Sequence, residues 1–276
     1  MVDYSTVKND LTNFLNSNSL VAKAAFLLLV AFVFVMLLQV CTTIIVSLSN
    51  RMSSLTKLTN GMIDATQMLT IPQDPSSVGA KTIPRSVNKN GGIEFTWSTW
   101  IFINDLGNPD GKYHHIFHKG NINTQSNGLN YPNNSPGLYI SPNTNELTLI
   151  MNTYDVINEE ITIGNVPLNK WLNIIIRCTN KKIDVYINGT IDKSITLVGV
   201  PKQNYGDVYM AMNGGFNGYI SNLWYYSYAL GTTEIQAIAR RGPNTNMITT
   251  NGYNNKNSDY LSLRWYFYGN NDVFNP

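Results

Sequence analysis

The sequence predicts a mainly β protein: an antiparallel β-sandwich preceded by one transmembrane α-helix, with one short helix near the end of the sandwich. Three observations carry this. Ala24 to Leu48 contains no charged residue. From Gly92 onward, short apolar runs are separated by Asn-, Gly- and Pro-rich turn signals, the spacing of a sandwich. Within that region, Leu168 to Leu197 reads as three consecutive antiparallel strands. Leu172, Ile174, Ile176 and Cys178 share one face of the first, with Asn173 and Arg177 on the other. Ile183, Val185 and Ile187 alternate with Asp184 and Tyr186 in the second. A period of two is what a sheet with one buried face requires. Asn188-Gly189 then supplies a two-residue hairpin, because a type I′ turn needs positive φ at both central positions.

Taken in order, residues 1–19 form a polar segment with Val7, Leu11, Phe14 and Leu15 at helical spacing. It reads equally as an amphipathic surface helix or a loosely ordered terminus. Residues 20–48 form the predicted transmembrane helix. The 25 residues from Ala24 to Leu48 span roughly 37 Å at 1.5 Å each, enough for a hydrocarbon core of about 30 Å. A secretory signal has a shorter apolar region with a basic start nearer the N-terminus. Lys8 and Lys23 before the helix face Arg51 and Lys57 after it, so basic residues set no orientation. Residues 49–81 read as stalk and linker. Leu55, Leu58, Met62, Ala65 and Leu69 form a weak stripe that either continues the helix or lies on the membrane. Asn60-Gly61 interrupts it, and Pro72, Pro75 and Pro84 mark the linker.

Residues 82–243 form the sandwich. Strands are predicted at Ile93–Ile103, Tyr113–Lys119, Leu138–Ile140, Glu146–Thr153, Ile161–Val166, the triplet above, Asp207–Met212 and Gly218–Tyr226. Gly231 to Arg241 is the short helix: Gly231 is a permissible N-cap, Glu234 the third helical residue, and Gly242-Pro243 the stop. Residues 244–276 form a tail whose Tyr260–Tyr268 stretch alternates like one more strand.

Charge is nearly balanced, 19 Lys+Arg against 17 Asp+Glu, which argues against a nucleic-acid partner. Cys41 lies in the apolar segment and Cys178 in a core strand, so they do not pair, and an interior without disulfides fits a reducing compartment. Asn188-Gly-Thr and Asn133-Asn-Ser match the glycosylation pattern by chance in an Asn-rich chain.

Three segments in order carry a family resemblance: Phe95-Thr-Trp-Ser-Thr-Trp-Ile, Pro167-Leu-Asn-Lys-Trp-Leu-Asn-Ile through Val185-Tyr-Ile-Asn-Gly, and Asn217-Gly-Tyr-Ile-Ser-Asn-Leu-Trp through Ala229-Leu-Gly-Thr-Thr-Glu-Ile. Together they resemble the laminin-G-like, concanavalin-A-like jelly roll. The resemblance implies two packed antiparallel sheets over roughly residues 82–243. With its membrane helix and Asn-rich loops, the chain is also similar to minor capsid or membrane proteins of large icosahedral double-stranded DNA viruses with an internal membrane.

Candidate sites follow from both sources. Laminin-G-like domains often hold calcium at one rim, and Asp105 and Asp110 are this sequence's candidates, with an ordinary turn as the alternative. His114 and His118 share a strand face but lie roughly 13 Å apart by strand rise, with His115 facing away, which argues against a shared metal. Glycosidases of the superfamily need two positioned carboxylates. Glu159 and Glu160 are adjacent and point oppositely, and Glu94 and Glu146 stand alone, so no enzyme is expected. Arg264, Tyr266 and Tyr268 are the expected partner contacts. The preferred expectation is a non-enzymatic adaptor tying a capsid shell to a membrane, with lipid and other capsid or membrane proteins as partners. A membrane-displayed carbohydrate-binding module is the alternative, and a glycan-active enzyme a distant third.

Overall fold

The structure, a computed structural model, describes residues 12–13, 19–89, 92–107 and 110–248. The segment around Val7 to Leu15, predicted as an amphipathic helix, falls almost wholly outside these residues. Two units divide the chain, one ending at Ser53 and one beginning at Ser54. The first contains helix α1 (Leu20–Ser53). Its stretch Leu20–Val46 has a mean hydropathy of 2.8 with none of its most apolar window buried. That length and composition suit a membrane anchor or a signal sequence.

The second unit is built from short strands: β1 (Leu55–Lys57), β2 (Met62–Asp64), β3 (Leu69–Ile71), β4 (Val87–Lys89), β5 (Gly92–Ile103), β6 (His114–Gly120), β7 (Gly137–Ile140), β8 (Leu147–Met151), β9 (Glu159–Ile163), β10 (Trp171–Thr179), β11 (Lys182–Ile187), β12 (Thr190–Thr196), β13 (Asp207–Met210) and β14 (Gly218–Tyr226), with helix α2 (Thr232–Arg241) after the last. One sheet runs β1-β14-β5-β10-β11-β12, with β2 also on β14 and β4 on β5. The other runs β3-β13-β6-β7-β8-β9. All these strand pairings are antiparallel, and an isolated bridge between Met62 and Met247 is parallel. The two sheets form the expected sandwich.

Its core follows the predicted alternation. Ile174, Ile176 and Cys178 of β10 face inward beside Val185 and Ile183 of β11, all buried. Trp97 of β5 packs across the gap on Phe117 of β6, ring centroids 5.4 Å apart, and edge-on to Tyr225 of β14 at 5.1 Å. The Asn188-Gly189 turn has φ of 50° and 82°, as a type I′ hairpin demands.

The polar face of β10 and β11 is not solvated. Helix α2 lies over it, setting Ile235 and Ile238 against Ile175, Tyr186, Trp224 and Tyr226. Asn173 is buried there and donates from Nδ2 to the Thr99 carbonyl at 3.1 Å. Glu234 holds the start of α2, accepting from the Gly231 N–H at 2.9 Å and from the Tyr228 hydroxyl at 2.8 Å.

The expected stalk over 49–81 is corrected. After Ser54 the chain enters β1, and β1 and β2 pair with β14 while β3 pairs with β13, so this segment contributes edges to both sheets. Leu58, Ile63, Ala65, Leu69 and Ile71 are core residues. The helical stripe was a coincidence of three short strands and the turns between them; Gly61, at φ 151°, sits where a Cβ would meet Ile248 and the Asn246 carbonyl. The sandwich also extends past 243, because the Met62 N–H donates to the Asn246 carbonyl and the Ile248 N–H to the Met62 carbonyl, each at 2.8 Å.

Candidate functional site

Where the sheets part, a cleft of about 410 Å³ opens between them. Such a volume lies within the range of small-molecule sites. Phe95, Trp97 and Tyr225 line it from the larger sheet, Lys119 and Asp207 from the smaller one. The segment from Gln73 to Arg85 walls one side, and Gln203 to Tyr205 another.

That wall includes the segment predicted as a linker. It is pinned: the Gln73 N–H donates to Asp207 Oδ1 at 2.8 Å, Gln73 Nε2 to the Lys81 carbonyl at 2.9 Å, and the Ile83 N–H to Gln73 Oε1 at 2.9 Å. Lys119 organises the other wall. Its Nζ donates to the carbonyls of Asn204 at 2.9 Å and Gly206 at 2.7 Å. Burial pushes its pKa down to about 8, with the Asp207 carboxylate acting in the opposite sense. Asn204 closes the pair by donating from Nδ2 to the Lys119 carbonyl at 2.9 Å. Gln203 and Ser86 join the two walls through a side-chain hydrogen bond.

The aromatic floor carries two polar atoms without partners. Trp97 is 1% exposed and Tyr225 5%. Neither Trp97 Nε1 nor Tyr225 Oη has a hydrogen bond among the described residues, while Trp224 Nε1 in the other layer donates to the Thr59 carbonyl at 3.1 Å. Neither atom is sealed away from the cleft. Burial raises the Tyr225 phenol, which therefore stays protonated and able to donate. Because Tyr225→Phe deletes no hydrogen bond, it is expected to change unfolding free energy by less than about 1 kcal/mol. Urea unfolding of the two proteins checks this, and a larger loss would mean the hydroxyl is held internally.

A second polar cluster lies on the outer layer of the smaller sheet. Strict alternation put His115 on the opposite face from His118. A register shift between His115 and Phe117 overturns this and brings the two rings together, Nε2 to Nδ1 at 2.6 Å. The Met212 N–H donates to His115 Nδ1 at 3.1 Å, so the His115 proton sits on Nε2 and faces His118 Nδ1. His118 Nε2 then donates to the Asn121 carbonyl at 3.2 Å. Burial depresses both pKa values, His115 well below the ordinary imidazole range and His118 to about 4.

Asp105 and Asp110 each cap a turn. Asp105 Oδ1 accepts from the Gly107 N–H at 2.8 Å and its Oδ2 from Asn217 Nδ2 at 2.6 Å. Asp110 Oδ1 accepts from the Lys112 N–H at 2.9 Å and stands 3.6 Å from His114 Nε2. Asp105 and His114 border a small cleft of about 160 Å³ with Gly215 and Asn217; Asp110 is not among its lining residues. Among the described residues no three His, Cys, Asp or Glu side chains could share a metal ion. The predicted contacts Arg264, Tyr266 and Tyr268 lie outside the described residues. Cys178 is buried with its thiol pushed up to about 12, an inert core residue.

Sequence reasoning missed the cleft because its residues come from six separate segments. The one local signal was Lys119, the lysine near the end of a strand that otherwise holds histidines, Ile116 and Phe117.

No curated protein sequence matches the chain. Among solved structures it is similar to the binding domain of botulinum neurotoxin serotype G, at 16% identity and TM-score 0.42, covering 54% of this chain and 36% of that one. It is likewise similar to the binding domain of Paraclostridial Mosquitocidal Protein 1, at 18% identity and TM-score 0.42, covering 54% and 37%. A third is the binding domain of botulinum neurotoxin DC in complex with rat synaptotagmin II, at 18% identity and TM-score 0.41, covering 54% and 36%. The chain thus spans little more than a third of the length of these proteins. The sequence profile of the laminin G type of the Concanavalin A-like lectin/glucanases superfamily matches residues 76–236, more than half of the chain. With its two antiparallel sheets, the chain belongs to the Concanavalin A-like lectin/glucanases superfamily.

Proposed function

We propose that this chain is a membrane-anchored, non-enzymatic binding module that takes carbohydrate in the cleft between its sheets. The observation that carries the reading is the aromatic floor with unpaired polar atoms, Trp97 Nε1 and Tyr225 Oη. Sugars offer apolar ring faces and hydroxyls at once, which suits a site lined in this way. Helix α1 supplies the anchor.

Chemistry at the cleft argues for binding rather than turnover. A glycosidase needs a carboxylic acid held protonated. Asp74 goes the other way, its pKa lowered chiefly by the Ser76 N–H. Asp207 is engaged by the Gln73 N–H. Among the sequence candidates, Glu159 accepts from the Val198 N–H at 2.7 Å, away from the cleft lining.

The test is binding of the full chain, reconstituted in lipid nanodiscs, to a broad glycan panel with calcium and with chelator. Saturable binding to a defined glycan is expected, and its loss in chelator with Asp105→Ala and Asp110→Ala would add calcium at the rim. No binding to any glycan would overturn the reading.

A second reading keeps the module as a structural adaptor, in its sharpest form a minor capsid protein joining a shell to an inner membrane. It is favoured by the presence in one chain of an apolar helix long enough to cross a bilayer and a two-sheet sandwich. Fractionation of particles from the source decides it: the chain must remain with the shell and membrane through purification.

A further inference from the structure

We infer that the intersheet cleft takes the terminal ring of a neutral glycan, end-on, with Trp97 and Tyr225 at its closed end; this rests on the carbohydrate-binding reading above. Four features of the site point there.

The first is access. α2 covers the part of the larger sheet's outer face around Ile175, Tyr186, Trp224 and Tyr226. Leu129 packs with Tyr139 and Ile150 over that of the smaller sheet. The gap between the sheets is an aromatic entrance that neither cover closes, while Phe102, Trp171 and Tyr219 form a separate half-buried aromatic cluster on the larger sheet. Exposure along it is graded: Phe95, Trp97 and Tyr225 are buried, while Tyr205 is 97% exposed at the mouth. A ligand that enters must lead with one end.

The second is the polar complement. Trp97 Nε1 can only donate, Tyr225 Oη can donate or accept, and Asp207 offers its Oδ2 beside an Oδ1 already bonded to Gln73. A sugar hydroxyl accepts and donates together, so neighbouring hydroxyls on one ring could meet a donor and an acceptor. An acyl chain would leave Trp97 and Tyr225 unpaired in a buried place, which is unfavourable.

The third is the apolar surface. Phe95, Ile83 and Pro84 line the cleft between the polar atoms. They suit the C–H faces of a pyranose.

The fourth is charge. The lining holds Lys119 and Arg85 against Asp74 and Asp207. The Lys119 ammonium is directed at the Asn204 and Gly206 carbonyls, with Asn204 Oδ1 at 3.4 Å, and has no donor left for a ligand anion. The exposed Arg85 is offset by Asp74 and Asp207, and with the buried cation already satisfied the lining has no net charge to favour an acidic sugar.

The experiment uses the full chain in phosphatidylcholine nanodiscs, with calorimetric titration of neutral hexose oligosaccharides and of the same oligosaccharides ending in a uronic acid. The neutral series is expected to bind, and the acidic series at least tenfold more weakly. Tyr225→Phe removes one hydroxyl and is expected to weaken neutral binding about tenfold. Tyr205→Ala, at an exposed position that cannot disturb the core, is expected to weaken it severalfold. Neutral binding that both variants leave unchanged would put the glycan elsewhere, overturning this inference while leaving carbohydrate binding intact. A preference for the acidic series would overturn the neutral class. Failure to bind any glycan would overturn both readings.

Discussion

Lowering the pH from 7 to 4 is expected to destabilise the sandwich steeply, through the two histidines buried beside Tyr139 and Tyr209. Each is held neutral chiefly by burial, within a chain of hydrogen bonds running from the Met212 N–H through His115 and His118 to the Asn121 carbonyl. That chain has one consistent tautomer for each ring, and a proton added to either imidazole would point two donors at each other or at the Met212 N–H. The rings are also enclosed, His118 stacked on Tyr209 at 5.0 Å and His115 edge-on to Tyr139 at 5.3 Å. The unfolded chain binds these protons near pH 6.5, whereas the folded protein binds the His118 proton only near pH 4. Folded pKa values below the unfolded ones mean that stability is fully present above pH 6.5 and is lost as pH falls toward 4. The slope is about 1.4 kcal/mol per pH unit for each histidine, or about 3 kcal/mol across the window for His118 alone. Urea unfolding at pH 7, 5.5 and 4.5 measures this. The His115→Gln/His118→Gln variant should lose most of the slope, and an unchanged slope in that variant would assign the acid sensitivity to other groups.

The second large effect is expected from Gly120→Ala. A Cβ at this position would lie 2.0 Å from the Asn133 carbonyl oxygen. Gly206, next to the register partner Asp207, is as confined, because its Cβ would stand 2.3 Å from the Gly120 oxygen. These obstacles are backbone atoms, so no rotamer change relieves them. Both glycines serve the cleft, since the close approach of the chain at 120 and 206 lets Lys119 reach the Asn204 and Gly206 carbonyls. The substitution is expected to cost about 3 kcal/mol or more, beyond ordinary overpacking. Gly111→Ala, with open space around its Cβ but φ of 70°, should cost only about 1 kcal/mol. Urea midpoints of the two variants compare them directly, and equal losses would show that the crowding at 120 relaxes easily.

Much of the sandwich was legible because it is written in short-range pattern. The alternation of β10 and β11, the Asn188-Gly189 turn, and the cap and stop of α2 each depend on residues within one or two turns of chain. Reading failed where a pattern was compatible with two periods. Leu55 to Leu69 has apolar residues at intervals that a helix and three short strands share, and pairing with β14 and β13 decided between them. It failed again at His114 to His118, where a single register shift reversed which histidines share a side. The polar residues of β10 and β11 suggested a solvated face, yet α2 returns some 60 residues later to cover it.

The sequence alone thus determined the class of the molecule: an apolar helix long enough to cross a bilayer, followed by a jelly-roll sandwich. Composition and periodicity are sufficient for that, since burial of one face of a strand and exclusion of charge from a hydrocarbon span are local requirements. Only the tertiary structure decided the site. The cleft depends on Gln73, Lys119, Asn204, Asp207 and Tyr225 meeting across two sheets and two loops, and on Trp97 keeping an unpaired N–H at its floor. Such a gap is a property of how far the sheets stand apart at one end, which follows from packing between residues distant in the chain.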